Sequence, residues 1–213
     1  MDENVHGRLT GLEDLQGVAS PARWKAGHRV IPAAESMARA LGRLRADGLV
    51  AFPTETVWGL AARADSEAAV RRLRLWKGRE ENRPIALLIA APEALSAIGF
   101  VSPPAARTLI EAFWPGPLTL VLSCERSFAR GIARGDGAVG VRCSSHPGAA
   151  ALARAAADTG LGPLTATSLN CSGGSAARTR QEAEALCTRG VDPPYLLACP
   201  DHDAYDGPPS TVV

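Results

Sequence analysis

The chain has 213 residues, 46% of them hydrophobic and 21% charged, which suits one ordinary globular domain with a core and is marginal for two. Its 23 basic and 22 acidic residues leave a formal charge of +1. That balance excludes a protein that coats nucleic acid by bulk charge, and leaves a local basic patch open. Of the 23 cations only Lys25 and Lys77 are lysines and the other 21 are arginines, a bias that genome composition explains. The location of each lysine is therefore informative.

The longest apolar run, Ile85 to Ala91, is too short to span a bilayer, so no membrane association is expected. The opening Met-Asp-Glu-Asn has no apolar core of a secretory signal. The five cysteines (Cys124, Cys143, Cys171, Cys187, Cys199) are odd in number, widely spaced and form no C-x-x-C pair. Reduced thiols and a cytoplasmic location fit them better than a zinc site or disulfides. Asp201-His202-Asp203 reads as a solvated acidic loop, with metal ligation as the weaker alternative.

Residues 1–32 lack steady periodicity and read as a loosely ordered N-terminal extension. Residues 33–213 read as one domain. Met37, Leu41 and Leu44 recur at helical spacing, and Gly48 ends that helix. Leu49 to Phe52 is a short strand stopped by Pro53. Asp65 or Ser66 can cap a helix burying Val70, Leu73 and Trp76. Ile85 to Ile89 reads as a buried strand. Ser102-Pro103 opens a helix with Ala106, Leu109, Ile110 and Phe113 inward. Leu118 to Leu122 and Val139 to Arg142 read as strands, and Pro147 opens the next helix. Leu164 to Thr167 is a strand leading into a Gly/Ser-rich turn. Thr179 with Glu182 makes a capping box. Tyr195 to Ala198 and Thr211 to Val213 can be final strands. The alternation predicts an α/β fold with a twisted, open, mixed sheet covered by helices.

Gly135-Asp-Gly-Ala-Val-Gly140 matches G-x-G-x-x-G but precedes a strand, so it reads as a glycine-rich turn and not a dinucleotide fingerprint. No P-loop and no G-x-S-x-G occur. Four other segments fall at strand ends, where open α/β sheets build sites. Phe52-Pro-Thr-Glu-Thr-Val-Trp-Gly-Leu60 offers hydroxyls and a carboxylate, and by itself reads as a helix cap. Lys77-Gly78-Arg79 with Arg83-Pro84 either meets a helix dipole or gathers charge for a triphosphate. Trp114-Pro-Gly-Pro-Leu-Thr119 reads as a rigid turn. Thr167-Ser168-Leu-Asn170-Cys-Ser-Gly-Gly174 is either a plain connection or an oxyanion site with free backbone N–H groups. Arg142, at a strand end, either takes a carboxylate or forms a surface ion pair.

These segments together resemble the YrdC/TsaC family. The carriers, in order, are Phe52–Leu60, Lys77-Gly-Arg79, Trp114–Thr119, Val141-Arg142, Ser168-Leu-Asn170 with Ser172-Gly173, and Ser210-Thr-Val-Val213. The match covers roughly residues 33–213. Family members are threonylcarbamoyl-AMP synthases. The resemblance implies that L-threonine, bicarbonate and ATP give threonylcarbamoyl-AMP and pyrophosphate. A downstream complex then moves the threonylcarbamoyl group to the tRNA adenosine beside the anticodon, and direct tRNA contact is left open. It also implies a large, positively lined cavity. By resemblance Lys77, Arg79, Ser168 and Asn170 are catalytic and bind ATP with Arg83, while Thr56, Arg142 and Ser210 bind threonine. Mg²⁺ is expected to accompany the ATP phosphates without a dedicated protein metal site.

Trp58 stands where the family usually has Tyr. The Ile85–Ile89 strand lacks the His of long-form members, so the short form is expected. The family pattern continues past Ser210-Thr-Val-Val213 into a strand and a nucleotide-contacting Arg, so either the chain is truncated or ATP is held less completely. The competing readings are a non-catalytic RNA-binding paralogue using Arg71, Arg72, Arg74, Arg126, Arg130 and Arg134 for phosphate contacts, and a carbamoyl-transfer relative with another acceptor.

Overall fold

The structure, a computed structural model, describes residues 32–80, 83–199 and 210–213. The expected N-terminal extension, apart from Pro32, and the Asp201-His202-Asp203 triplet lie outside the described residues.

Helix α1 (Ala34–Arg45) buries Leu41 and Leu44 of the expected stripe together with Ala40, while Met37 is half-buried. Strands β1 (Val50–Phe52) and β2 (Gly59–Ala61) pair antiparallel. The intervening Pro53–Trp58 segment is not a helix cap. The Thr54 hydroxyl accepts from Thr56 N at 3.1 Å and donates to Val57 O at 2.6 Å, closing a turn with no helix behind it. Helix α2 (Glu67–Lys77) opens on Ser66, whose hydroxyl accepts from Ala69 N, and closes on Gly78 at φ 61°. Strand β3 (Ala86–Leu88) follows, then a short helix α3 (Ala94–Ile98) that the sequence reading did not contain.

Helix α4 (Pro104–Phe113) has proline in its first turn, where the missing N–H costs nothing. The Trp114 indole then donates to Leu118 O at 2.8 Å, so this segment is architecture as expected. Strands β4 (Leu118–Ser123) and β5 (Ala138–Arg142) are joined by a long loop ending in the glycine-rich turn. There Gly137 sits at φ 82°, and Asp136 Oδ1 accepts from Ala138 N at 3.1 Å. The turn feeds a strand, which disposes of the dinucleotide fingerprint. Helix α5 (Pro147–Asp158), strand β6 (Leu164–Ser168), helix α6 (Arg180–Leu186), and strands β7 (Tyr195–Leu196) and β8 (Thr211–Val212) complete the order. The Thr179/Glu182 capping box is formed on both sides. All five cysteines are free.

The strands form one mixed sheet in the order β7-β1-β2-β6-β3-β5-β4-β8. Side-chain alternation splits its core in two. Ala51, Leu60, Leu87, Leu120 and Val141 face α2 through Val70 and Leu73. Val50, Phe52, Ala61, Leu88 and Leu164 face α1 and α5 through Leu44 and Leu152. Each fully buried leucine contributes roughly 1.5–3 kcal/mol relative to exposure. On the second face the side chains beside this cluster become small. Ala86 pairs with Ala166, and a Cβ built on Gly140 would lie 3.1 Å from that of Ala86. Small side chains on three adjacent strands leave a hollow in the sheet face.

Candidate active site

That hollow is a cavity of about 450 Å³. Ala86, Gly140 and Ala166 line its floor, and Phe52, Thr54, Trp58 and Ser210 are among its walls. Its charged lining is Arg79, Arg134 and Arg142, with no carboxylate among the described residues that line it. Strands β3 and β5 are parallel neighbours, with Leu88 opposite Arg142. Arg79 therefore precedes the start of one strand and Arg134 the start of the other, while Arg142 stands at the far end of β5. Four residues of β5 separate the ends by about 13 Å, at roughly 3.3 Å per residue.

At the first end the Lys-x-Arg and Ser-x-Asn pairs come together. Lys77, only 3% exposed, donates from Nζ to Ser168 O, to Asn170 O at 2.9 Å and to Asn170 Oδ1 at 2.9 Å. These three acceptors match the three N–H bonds of an ammonium. Ser168 Oγ donates to the same Oδ1 at 2.7 Å, and Asn170 Nδ2 donates to Gly174 O at 2.7 Å. Ser172 N returns a bond to Lys77 O at 2.7 Å. Lys77 is thus the peg on which the β6–α6 loop hangs. Burial and then the neighbouring Arg79 charge push its ammonium down to about 8.

Arg79 is held by backbone: Nη2 donates to Pro84 O at 2.7 Å and Nε to Arg83 O at 3.3 Å. Among the described residues no carboxylate forms an ion pair with it. Burial, then Arg74 and Arg83, hold it below its ordinary value, the signature of a site that an anion would relieve. Arg83 is exposed and contributes its carbonyl, not its guanidinium, to this arrangement. Arg74 organises the region from beneath, donating to Glu80 O, to Arg83 O at 3.0 Å and to Gly131 O at 2.9 Å. Gly131 lies at φ 86°, and a Cβ there would meet Arg74 Nη2 at 2.0 Å, so only glycine fits.

At the second end Arg142 is 8% exposed and is not a surface ion-pair partner. Its Nη2 donates to Glu55 Oε1 at 2.8 Å and to Thr56 Oγ1 at 2.9 Å. Ser144 Oγ donates to the other Glu55 oxygen, and accepts from His146 N at 3.2 Å. Burial raises the Glu55 carboxyl, but the Arg142 charge and the bonds from Arg142 and Ser144 outweigh it, and the net is below the ordinary value. Arg142 Nε is buried without a hydrogen-bond partner, an unused donor on a guanidinium that lines the cavity. Burial, with Glu55 next, pushes the adjacent Cys143 thiol up to about 12, so it stays protonated and is not a nucleophile.

Of the residues singled out in the sequence, Arg79, Ser168, Arg142 and Ser210 line the cavity, while Lys77, Asn170 and Thr56 stand behind the wall and fix those that do. Glu55, Arg74 and Arg134 were not among the site residues drawn from the sequence. Arg74 is buried and engaged by carbonyls, which removes it from the RNA-contact reading, while Arg72 is paired with Asp192 at 2.9 Å. Among the described residues no helix is long and apolar enough to cross a membrane.

The fold and this cavity define a class: an open, mixed α/β sheet of the YrdC-like kind with a cationic hollow on one face. The Sua5/YciO/YrdC family model, described as "Telomere recombination", matches residues 43–213, and the chain belongs to that family. A threonylcarbamoyl-AMP synthase of Bacillus subtilis is 40% identical over 138 residues, which is 64% of this chain and 39% of that protein. One of Halorhodospira halophila is 38% identical over 153 residues, covering 72% of this chain and 78% of its own length. The crystal structure of Pyrococcus abyssi Sua5 complexed with L-threonine superimposes with a TM-score of 0.73 at 34% identity, over 86% of this chain and 52% of that one. The chain thus spans well under half of the Bacillus relative and about half of the Pyrococcus structure.

Proposed function

We propose that the chain is a threonylcarbamoyl-AMP synthase, making the adenylate and pyrophosphate from L-threonine, bicarbonate and ATP. The observation that carries this reading is the two-ended cavity, with Arg79, which no carboxylate among the described residues meets, before the start of β3 and Arg142 at the far end of β5, a strand about 13 Å long. Names of relatives that cover most of their own length support it, as does the L-threonine complex of the Pyrococcus protein.

In this reading Arg142, braced by Glu55 and Thr56, takes the threonine carboxylate with the part of its guanidinium that lines the cavity. Between the two ends the threonine amine attacks the carbon of bicarbonate, and the C–N bond of the carbamate forms as the amine gives up a proton and the bicarbonate hydroxyl leaves as water. A carbamate oxygen attacks the α-phosphate in line, its P–O bond forms as the bond to pyrophosphate breaks, and pyrophosphate leaves toward Arg79. Such a transfer is mostly positioning and charge neutralisation, which buried, pre-held arginines supply. Ser168 presents a hydroxyl at the reacting end, and Lys77 and Asn170 hold it there. Ser210 lines the same cavity.

ATP brings Mg²⁺ on its phosphates as a substrate counter-ion. Among the described residues no group of three His, Cys, Asp or Glu side chains could hold a metal ion. The adenylate would pass to a complex that modifies tRNA, in the cytoplasm. The test is pyrophosphate release with each substrate omitted in turn. Release that requires threonine, bicarbonate and ATP together supports the reading, and threonine-independent release sinks it.

A further inference from the structure

Arg134 lines the cavity, yet no sequence motif marks it and the assignments above do not use it. We propose that Arg134 is a second oligophosphate ligand, which closes on the leaving pyrophosphate from the β5 side while Arg79 holds it from the β3 side. The inference rests on the synthase reading for the identity of the phosphate chain, and not for the existence of the clamp.

Placement is the first argument. The two arginines precede the starts of neighbouring parallel strands. The loops carrying them are tied together: Ile85 N donates to Gly131 O at 3.1 Å, and Arg74 joins Arg83 O to Gly131 O. The backbone of Arg134 is itself fixed, its N donating to Ala138 O at 2.8 Å and its O accepting from Gly137 N at 3.0 Å. A rigid stem thus carries a long, half-exposed side chain on the cavity rim.

Charge is the second. The three cavity cations differ in how their charge is met. Arg142 has a buried carboxylate at 2.8 Å. Arg79 has the carbonyls of Arg83 and Pro84 and the Thr167 hydroxyl at 3.5 Å, and no carboxylate among the described residues. Arg134 has Asp136 at 3.4 Å, with both side chains more than half exposed. Exposed pairs of that kind are weak, so Asp136 holds Arg134 loosely and yields it to a multiply charged anion. A guanidinium fork fits two phosphate oxygens at once, which a lysine at this position would not reproduce.

The experiment is titration calorimetry of the full chain with inorganic triphosphate, on the wild type and on Arg134→Ala, Arg134→Lys and Asp136→Asn, with L-threonine binding and thermal unfolding as controls. Arg134→Ala is expected to bind triphosphate about tenfold more weakly, the lower range for loss of a charge-assisted contact. Arg134→Lys should fall between. Asp136→Asn, which keeps the Oδ1 that accepts from Ala138 N, should bind about two- to threefold more tightly by freeing Arg134. Threonine affinity and the unfolding midpoint should not move. Wild type that fails to bind triphosphate, or Arg134→Ala that binds it as wild type does, overturns the clamp. If Arg134-dependent binding persists in a chain that does not release pyrophosphate with threonine and bicarbonate, the clamp stands and the synthase reading fails.

Discussion

Replacing Glu55 by Gln removes one charge from an ion pair whose side chains are 5% and 10% exposed. Breaking such a pair from one side leaves the other charge buried and unanswered, which costs about 3–5 kcal/mol. The amide oxygen of Gln can still accept from Arg142, so the low end, about 3 kcal/mol, applies. For a chain of this size about 2–4 °C of midpoint is lost per kcal/mol, so thermal unfolding should fall by about 6–12 °C. Arg142→Met alone should cost a similar amount, because it leaves the Glu55 carboxylate stranded. The double variant should cost at least about 1 kcal/mol less than the sum, since neither charge is then left alone. pH adds a check on sign. The Glu55 carboxyl is held below its ordinary 4.5, so the folded chain binds fewer protons than the unfolded one in that range. The stabilisation from the pair is therefore fully present above about pH 4.5 and fades as pH falls through the depressed value. The gap between wild type and Glu55→Gln should narrow in acid. Additive single and double variants, or a gap that widens on acidification, would refute the account of this end of the site.

Two further outcomes follow from Lys77. Its tetrahedral ammonium serves three acceptors of one loop, which a planar guanidinium cannot reproduce in the same buried volume. Lys77→Arg should therefore lower kcat/KM for ATP by about 100-fold while the chain remains folded, and near-wild-type kinetics would contradict that geometry. Because its ammonium sits at about 8, raising the pH removes one of the three donors. The pH profile of kcat/KM for ATP should turn down with an inflection near 8, and a profile flat beyond pH 9 would contradict the peg.

The motifs legible in the sequence were those whose chemistry is local. Lys77-Gly-Arg79 and Ser168-Leu-Asn170 each read correctly as short runs at strand and helix ends, and the structure joins them through Lys77 Nζ. Their division of labour was not legible. Lys77 looks like a phosphate ligand until its three donors are found occupied by a loop more than 90 positions away. Glu55 was hidden because Thr-Glu-Thr after a proline has the residue types of a helix cap. Only the long-range pairing with Arg142, 87 positions on, reveals the carboxylate as a brace. Arg74 lies on the same helical face as Val70, Leu73 and Lys77, which was the available signal for a buried cation. Its three carbonyl partners belong to two loops that no periodicity places together. Strand β2 was missed because three residues, Gly59–Ala61, carry too little pattern to be told from the preceding turn. Arg134 had no signal beyond its charge.

The central claim is that one cavity joins threonine, bicarbonate and ATP. Its most direct test is the mass of the adenylate formed from ¹³C-bicarbonate, L-threonine and ATP. The account predicts a threonylcarbamoyl-adenylate that is one mass unit heavier than the product from unlabelled bicarbonate. An adenylate without the labelled carbon, or AMP and pyrophosphate formed without threonine, would contradict it.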